Sequence, residues 1–241
     1  MSLRAEYDDW HNKYHELDPS YDDASSPWYS WARVAVGEVQ GQRTLEVACG
    51  RGGFVRALAR NGAQAFGLDF SMAAVRIGKE RSLRSDSESG AAFIQGDAHA
   101  LPFPDNCFDI LVSCETIEHL QSPVESLREF HRVTRPGGRL LLTTPNYFNL
   151  LGLYEVYSRF RHSGRKRDQP LDRLQIFTQT RKLLRKAGWN VLGTDGVVHQ
   201  IPLSPGRNPY RLQFLDSNVY LRKLLRIFAL HYCVIATKTG S

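Results

Sequence analysis

Methionine and cysteine are scarce in this 241-residue chain, with two methionines and four cysteines, at 49, 107, 114 and 233. No Cys-x-x-Cys pair occurs, which argues against a disulfide frame or a paired-cysteine metal site and for reduced, packed thiols in a cytoplasmic protein. No apolar run approaches the roughly 18 residues of a membrane span. The acidic N-terminus lacks the apolar core of a signal peptide, so no secretory leader is expected. The absence of Gly-Lys-Ser/Thr removes a Walker A phosphate loop, and the absence of Tyr-x-x-x-Lys disfavours a nicotinamide oxidoreductase. Hydrophobic content of 42% and charged content of 23% are ordinary for one globular domain.

What is present is concentrated in Thr44-Leu-Glu-Val-Ala-Cys-Gly-Arg-Gly-Gly-Phe54. A short run of strand formers breaks into glycines and resumes with Val55, Leu58 and Ala59 at helical spacing, so the segment reads as strand, glycine turn, helix. Such a turn brings backbone N–H groups and a helix N-terminus close to a ligand. A dinucleotide fingerprint wants a third glycine where Val55 stands. Glu46, four residues before Gly50, would repel a pyrophosphate and suits a ligand bearing ammonium or sulfonium charge. A second strand, Gln64 to Leu68, ends on Asp69, 19 residues beyond Gly50 and placed for the two hydroxyls of a ribose. Ser71 is a candidate N-cap for a helix from Met72 to Arg81. A third strand, Ala92 to Gln95, runs into Gly96-Asp97-Ala98.

On these residues the chain resembles the class I S-adenosylmethionine-dependent methyltransferases, whose first motif is acid-x-Gly-x-Gly-x-Gly. Ala48 replaces the first glycine, and Gly50 and Gly52 keep the others. The Phe108-Asp start of the next strand fits the same family. The resemblance runs from Leu45 to Pro145 and implies S-adenosylmethionine as cofactor, with Glu46, Ala48, Cys49, Gly50, Gly52, Asp69, Phe70, Met72, Asp97, Ala98 and Cys114 as its contacts. In that family the acid of Gly-Asp-Ala holds the adenine amino group. The implied fold is α/β, a Rossmann-like seven-stranded, mostly parallel sheet with helices on both faces and an antiparallel last strand.

One domain is expected: an N-terminal helical segment over 1–43, a cofactor-binding core over 44–145, an inserted lid over 146–177, and a C-terminal part over 178–241 with a second insertion at 201–230. Helices are read at Glu6 to Glu16, Trp28 to Val39, Pro123 to Val133 and Thr178 to Ala187, and late strands at Val191 to Val198 and His231 to Thr237. Long insertions that retain aromatics are functional more often than disordered, and the first leaves the fifth strand at the edge where ligands bind.

The net charge of +6 is uneven. Residues 1 to 25 hold two Lys/Arg against seven Asp/Glu, and residues 159 to 186 hold ten against two. Apolar Leu150 to Phe160 followed by basic Arg161 to Arg167 can lie on anionic lipid, hold a phosphate-bearing acceptor or touch RNA, or form a solvated loop.

Chemistry beyond cofactor binding centres on Cys114-Glu-Thr-Ile-Glu-His119. Helical spacing would put Glu115, Glu118 and His119 on one face. His119 with Glu118 is the candidate catalytic pair, as base or in substrate positioning, with a helix cap or packing role as the alternative. The same string resembles metal-assisted O-methyltransferases, yet no convincing fourth ligand is present, so no metal is expected. A small-molecule acceptor methylated on oxygen, a saccharide or lipid-linked compound, is favoured; Thr144-Pro-Asn-Tyr-Phe-Asn149 resembles methyltransferases of polysaccharide pathways. A nucleic-acid methyltransferase rests only on the basic stretch and lacks the Asn/Asp-Pro-Pro-Tyr string of enzymes acting on base amines. A non-catalytic cofactor-binding module is the third reading.

Overall fold

The computed structural model describes residues 2–18, 25–84, 90–149, 152–153, 170–171, 173, 175–201 and 210–239. Two helices, α1 (Leu3–Leu17) and α2 (Pro27–Val36), precede the first strand. Alternation then sets in: β1 (Arg43–Val47), α3 (Gly53–Arg60), β2 (Gln64–Asp69), α4 (Met72–Leu83), β3 (Ala91–Gln95), β4 (Phe108–Cys114), α5 (Pro123–Val133) and β5 (Thr134–Pro145). Helix α6 (Phe177–Lys186), β6 (Trp189–Val197), the small hairpin β7 (Gln200–Ile201) and β8 (Tyr210–Arg211), α7 (Gln213–Ser217), α8 (Val219–Leu224) and β9 (His231–Lys238) complete it. Each helix and strand expected from the sequence lies within a few residues of its predicted place.

Seven strands form one sheet in the order β3-β2-β1-β4-β5-β9-β6. Strands β1 to β5 pair in parallel, and β9 runs antiparallel to both β5 and β6. Every residue of β4 is buried, as a central strand covered on both faces requires. Strand alternation divides the core. Leu45, Val47, Leu111 and Leu140 pack toward α5 and α6 with Phe130, Leu127 and Leu184. Val112, Ile110 and Cys114 pack toward α2 and α3 with Tyr29, Trp31, Phe54 and Val55. Ser71 caps α4 by accepting from Ala74 N at 3.2 Å, and Pro123 opens α5, where a missing N–H costs nothing.

Two consequences of this topology matter for a ligand. The chain leaves β1 for β2 and β3 and returns to β4 on the other side, so a crevice opens at the carboxyl ends of β1 and β4. Strand β9 is reversed, so its first residue, His231, stands opposite Pro145 at that same edge.

The turn after β1 is strained. Ala48, Gly50 and Gly52 all have left-handed φ, at 58°, 52° and 72°. At Gly52 a Cβ would lie 2.1 Å from the Phe93 ring, so nothing larger fits. Ala48 carries a methyl group in a conformation that costs L-residues roughly 1 kcal/mol. Replacing Ala48 with Gly relieves that strain but loosens the unfolded chain, so the unfolding free energy should rise by about 0.5 kcal/mol. Urea denaturation measures this, and an unchanged or lower midpoint would show that the turn carries no such strain.

Candidate active site

A cavity of about 1050 Å³ opens over the carboxyl edge of the sheet. Its floor is supplied by the strand ends: Val47, Ala48, Gly50 and Arg51 after β1, Asp69 and Phe70 after β2, Gly96 to His99 after β3, and Cys114 to Thr116 after β4. Its roof comes from α1, with Tyr7, Trp10, His11 and Tyr14, and one flank from Trp28 and Tyr29 of α2. The size is at the top of the roughly 300–1,000 Å³ range of ligand pockets, room for two small molecules side by side.

Asp69 is the most constrained acid. One carboxylate oxygen accepts from Gly50 N at 2.8 Å and the other from Ser71 N at 2.9 Å. Burial pushes its carboxyl up, while His11 and the two N–H groups oppose that. Each oxygen retains a further lone pair for a hydroxyl. Asp97 accepts from His99 N at 2.9 Å and from His99 Nδ1 at 2.7 Å. Ser122 N donates to Nε2 of that ring, which fixes the proton on Nδ1. Burial acts to raise the Asp97 carboxyl, but the bonds from His99 outweigh it and hold it below the usual range.

Of the residues expected to contact a cofactor, Ala48, Gly50, Asp69, Phe70, Asp97, Ala98 and Cys114 line the cavity. Glu46, Cys49, Gly52 and Met72 do not. Glu46 is wholly buried, and Tyr29 Oη donates to its Oε1 at 2.7 Å, with the Tyr29 ring stacked on Phe54. Met72 is half-exposed on α4. Burial, with Glu46 beside it, raises the Cys114 thiol well above its ordinary value, so this cysteine is no nucleophile.

The string after β4 does not form the single face expected of it. Glu115 takes a left-handed backbone, φ 49°, and only Ile117–His119 close a short 3₁₀ turn. Glu118 is therefore turned into the protein, where Thr144 Oγ1 donates to it at 3.1 Å, while His119 reaches the cavity. Nε2 of His119 is 3.7 Å from Glu118 Oε1, and its Nδ1 contacts the carbonyl oxygen of Leu171. Glu115 faces the cavity, accepts from Thr143 Oγ1 at 2.8 Å and pairs with His231 Nδ1 at 2.8 Å. The Trp28 ring packs against His231 at 4.8 Å. Among the described residues, no group of three His, Cys, Asp or Glu side chains converges as a metal site.

Residues 154–169, the centre of the expected lid and its basic run, lie outside the described residues, and the described cover is α1.

Residues 45–142 match the family model described as a methyltransferase domain. Over these residues the chain is similar to methyltransferase domains of the class I, S-adenosylmethionine-dependent type. Among curated relatives, the demethylmenaquinone methyltransferase of Renibacterium salmoninarum is 38% identical over 133 residues, 54% of each chain. The ubiquinone/menaquinone biosynthesis C-methyltransferase of Azotobacter vinelandii is 31% identical over 138 residues, 53% of this chain and 54% of that one. The chain thus spans about half the length of the curated relatives it matches. A chain of the complex between the Haloferax volcanii Trm112 methyltransferase activator and a methyltransferase superposes over 100% of this chain and 99% of its own, with a TM-score of 0.68 and 19% identity. That likeness speaks to the fold.

The cofactor of such a domain is S-adenosylmethionine, and the residues present fit it. Asp69 would offer two oxygens to a ribose diol, Phe70 an aromatic face and Asp97 an acceptor to a purine, and the turn after β1 would cradle the methionine portion. In the cavity wall Trp10 Nε1 and His11 Nδ1 are buried with no hydrogen-bond partner among the described residues, as in a site built for a polar ligand. Asp69→Ala should cost about 1.5–3 kcal/mol of binding to S-adenosylhomocysteine, the range for a hydrogen bond to a charged group. Calorimetry giving equal affinity for both proteins would remove Asp69 from the site.

Proposed function

We propose that this protein is a methyltransferase that moves the methyl group of S-adenosylmethionine to a hydroxyl oxygen on a small, largely apolar acceptor, with His119 as the base. The observation that carries this is the placement of His119 in the cavity wall with Nδ1 against the Leu171 carbonyl oxygen. A carbonyl only accepts, so Nδ1 holds the proton and Nε2 of the neutral ring presents a lone pair. Bound in the cavity, the cofactor would supply a methyl group on a sulfonium, the sulfur retaining the electron pair of the S–C bond. The hydroxyl oxygen forms the new C–O bond, and its proton passes to Nε2. The Glu118 carboxylate, 3.7 Å away, favours the imidazolium that results. Much of the acceleration in such a displacement comes from holding the two reactants in line.

The acceptor side is walled by Trp28, Tyr29 and Leu120, with Glu115, Thr116 and His119 as its polar groups. An apolar, aromatic wall with few polar groups favours a flat or lipid-linked hydroxyl compound over a saccharide. A second reading has a specific support, since one relative is named a C-methyltransferase. Deprotonating an aromatic hydroxyl also raises electron density at the adjacent ring carbons, so the same base would serve carbon methylation. Locating the methyl group in the product separates the two.

His119→Ala should lower kcat on the order of 10²–10⁴-fold, the usual contribution of a general base, while leaving the affinity for S-adenosylmethionine nearly unchanged. A rate equal to that of the unaltered protein would leave His119 as a wall residue and end the base assignment.

A further inference from the structure

Helix α1 presents its inner face to the cavity rather than to the sheet. Leu3, Tyr7, Trp10, His11, Tyr14 and Leu17 all line the cavity, a spacing that marks one side of a helix. The helix is held in register from the next layer. Asp8 accepts from Ser71 Oγ at 2.6 Å and from Ala73 N at 3.0 Å, which caps α4. Tyr7 meets the Phe70 ring edge-on at 6.3 Å, and the Arg4 guanidinium lies 4.6 Å above that ring. Ser71, which binds Asp8, donates its own N–H to Asp69. One residue therefore registers both the helix and the acid.

His11 lies three residues beyond Asp8 and points into this arrangement. It is 8% exposed, and its Nδ1 is buried with no hydrogen-bond partner among the described residues. Burial pushes its imidazole down, so the ring is neutral near pH 7, one nitrogen a donor and the other an acceptor. Asp69 is the charge that acts on it most strongly, ahead of Arg51 and Asp8. A buried imidazole nitrogen with no partner is costly, and nothing in the helix requires one there. The partner has to come from the cavity. Beside the Asp69 carboxylate, the polar groups of the cofactor are its ribose hydroxyls.

We propose that His11 is a ligand of the cofactor ribose, reaching from α1 to the hydroxyl pair that Asp69 engages from the sheet. The cofactor site is then split between the sheet and the helix that roofs it, and bound cofactor joins the two. The proposal rests on S-adenosylmethionine being the cofactor.

The test is calorimetric titration of the intact protein with S-adenosylhomocysteine and with an analogue lacking both ribose hydroxyls. His11→Phe keeps a buried ring without its hydrogen bonds, and His11→Gln keeps a donor and an acceptor. His11→Phe should bind S-adenosylhomocysteine about tenfold more weakly, the size of one buried hydrogen bond, and His11→Gln should recover most of the loss. The analogue without hydroxyls should bind the unaltered protein and His11→Phe alike. Bound S-adenosylhomocysteine should shield α1 from proteolysis more in the unaltered protein than in His11→Phe. Equal affinity of His11→Phe and the unaltered protein for S-adenosylhomocysteine overturns the proposal. So does a loss of equal size for the analogue, since a packing role would give that. Failure of the unaltered protein to bind S-adenosylhomocysteine would instead overturn the cofactor assignment beneath it.

Discussion

The Asp69 carboxylate is the constraint on which the rest of the site depends. It sits at the end of β2 with one oxygen on the Gly50 N–H of the strained turn and the other on the Ser71 N–H at the start of α4. Burying a carboxylate is unfavourable unless its oxygens are satisfied, and here the satisfying groups are backbone donors of two separate segments. The acid thereby fixes the glycine turn relative to α4. Through Ser71 and Asp8 it also fixes where α1 lies. A site whose floor and roof share one anchor needs little rearrangement to accept a ligand whose recognised end is a diol.

A second constraint acts at the opposite end of the cavity. Glu115 adopts a conformation that non-glycine residues rarely hold, and the surroundings over-determine it through Thr143 and His231. His231 is available there only because β9 enters the sheet in reverse. The cavity wall around Glu115 is thus assembled from β4, β5, β9 and α2.

How much of this was legible in the sequence follows from the range of the interactions involved. The turn after β1, the acid 19 residues past Gly50 and the Ser71 cap are local patterns, and the sheet is built as they indicate. The common face expected for Glu115, Glu118 and His119 assumed a helical turn, and the left-handed backbone at Glu115 breaks it. The hydrogen bond that Glu46 accepts from Tyr29, 17 residues earlier, is a pairing that no short-range pattern signals. The cavity face of α1 had a visible trace, because Tyr7, Trp10, His11 and Tyr14 recur at helical spacing. What hid its meaning was the usual assumption that such a stripe packs on the core. His99 and His231 gave no local sign, because their roles are set by contacts to loops and by strand order.

The central claim is that one cavity, floored by Asp69 and roofed by α1, holds the cofactor with its reactive end toward Glu115 and His119. A crystal structure of the protein with S-adenosylhomocysteine tests it most directly. The account requires the ribose against Asp69, the adenine beside Phe70 and Asp97, and the sulfur directed toward the wall of Trp28, Glu115 and His119. Density for the ligand at any other surface, or in this cavity with the ribose away from Asp69, would contradict it.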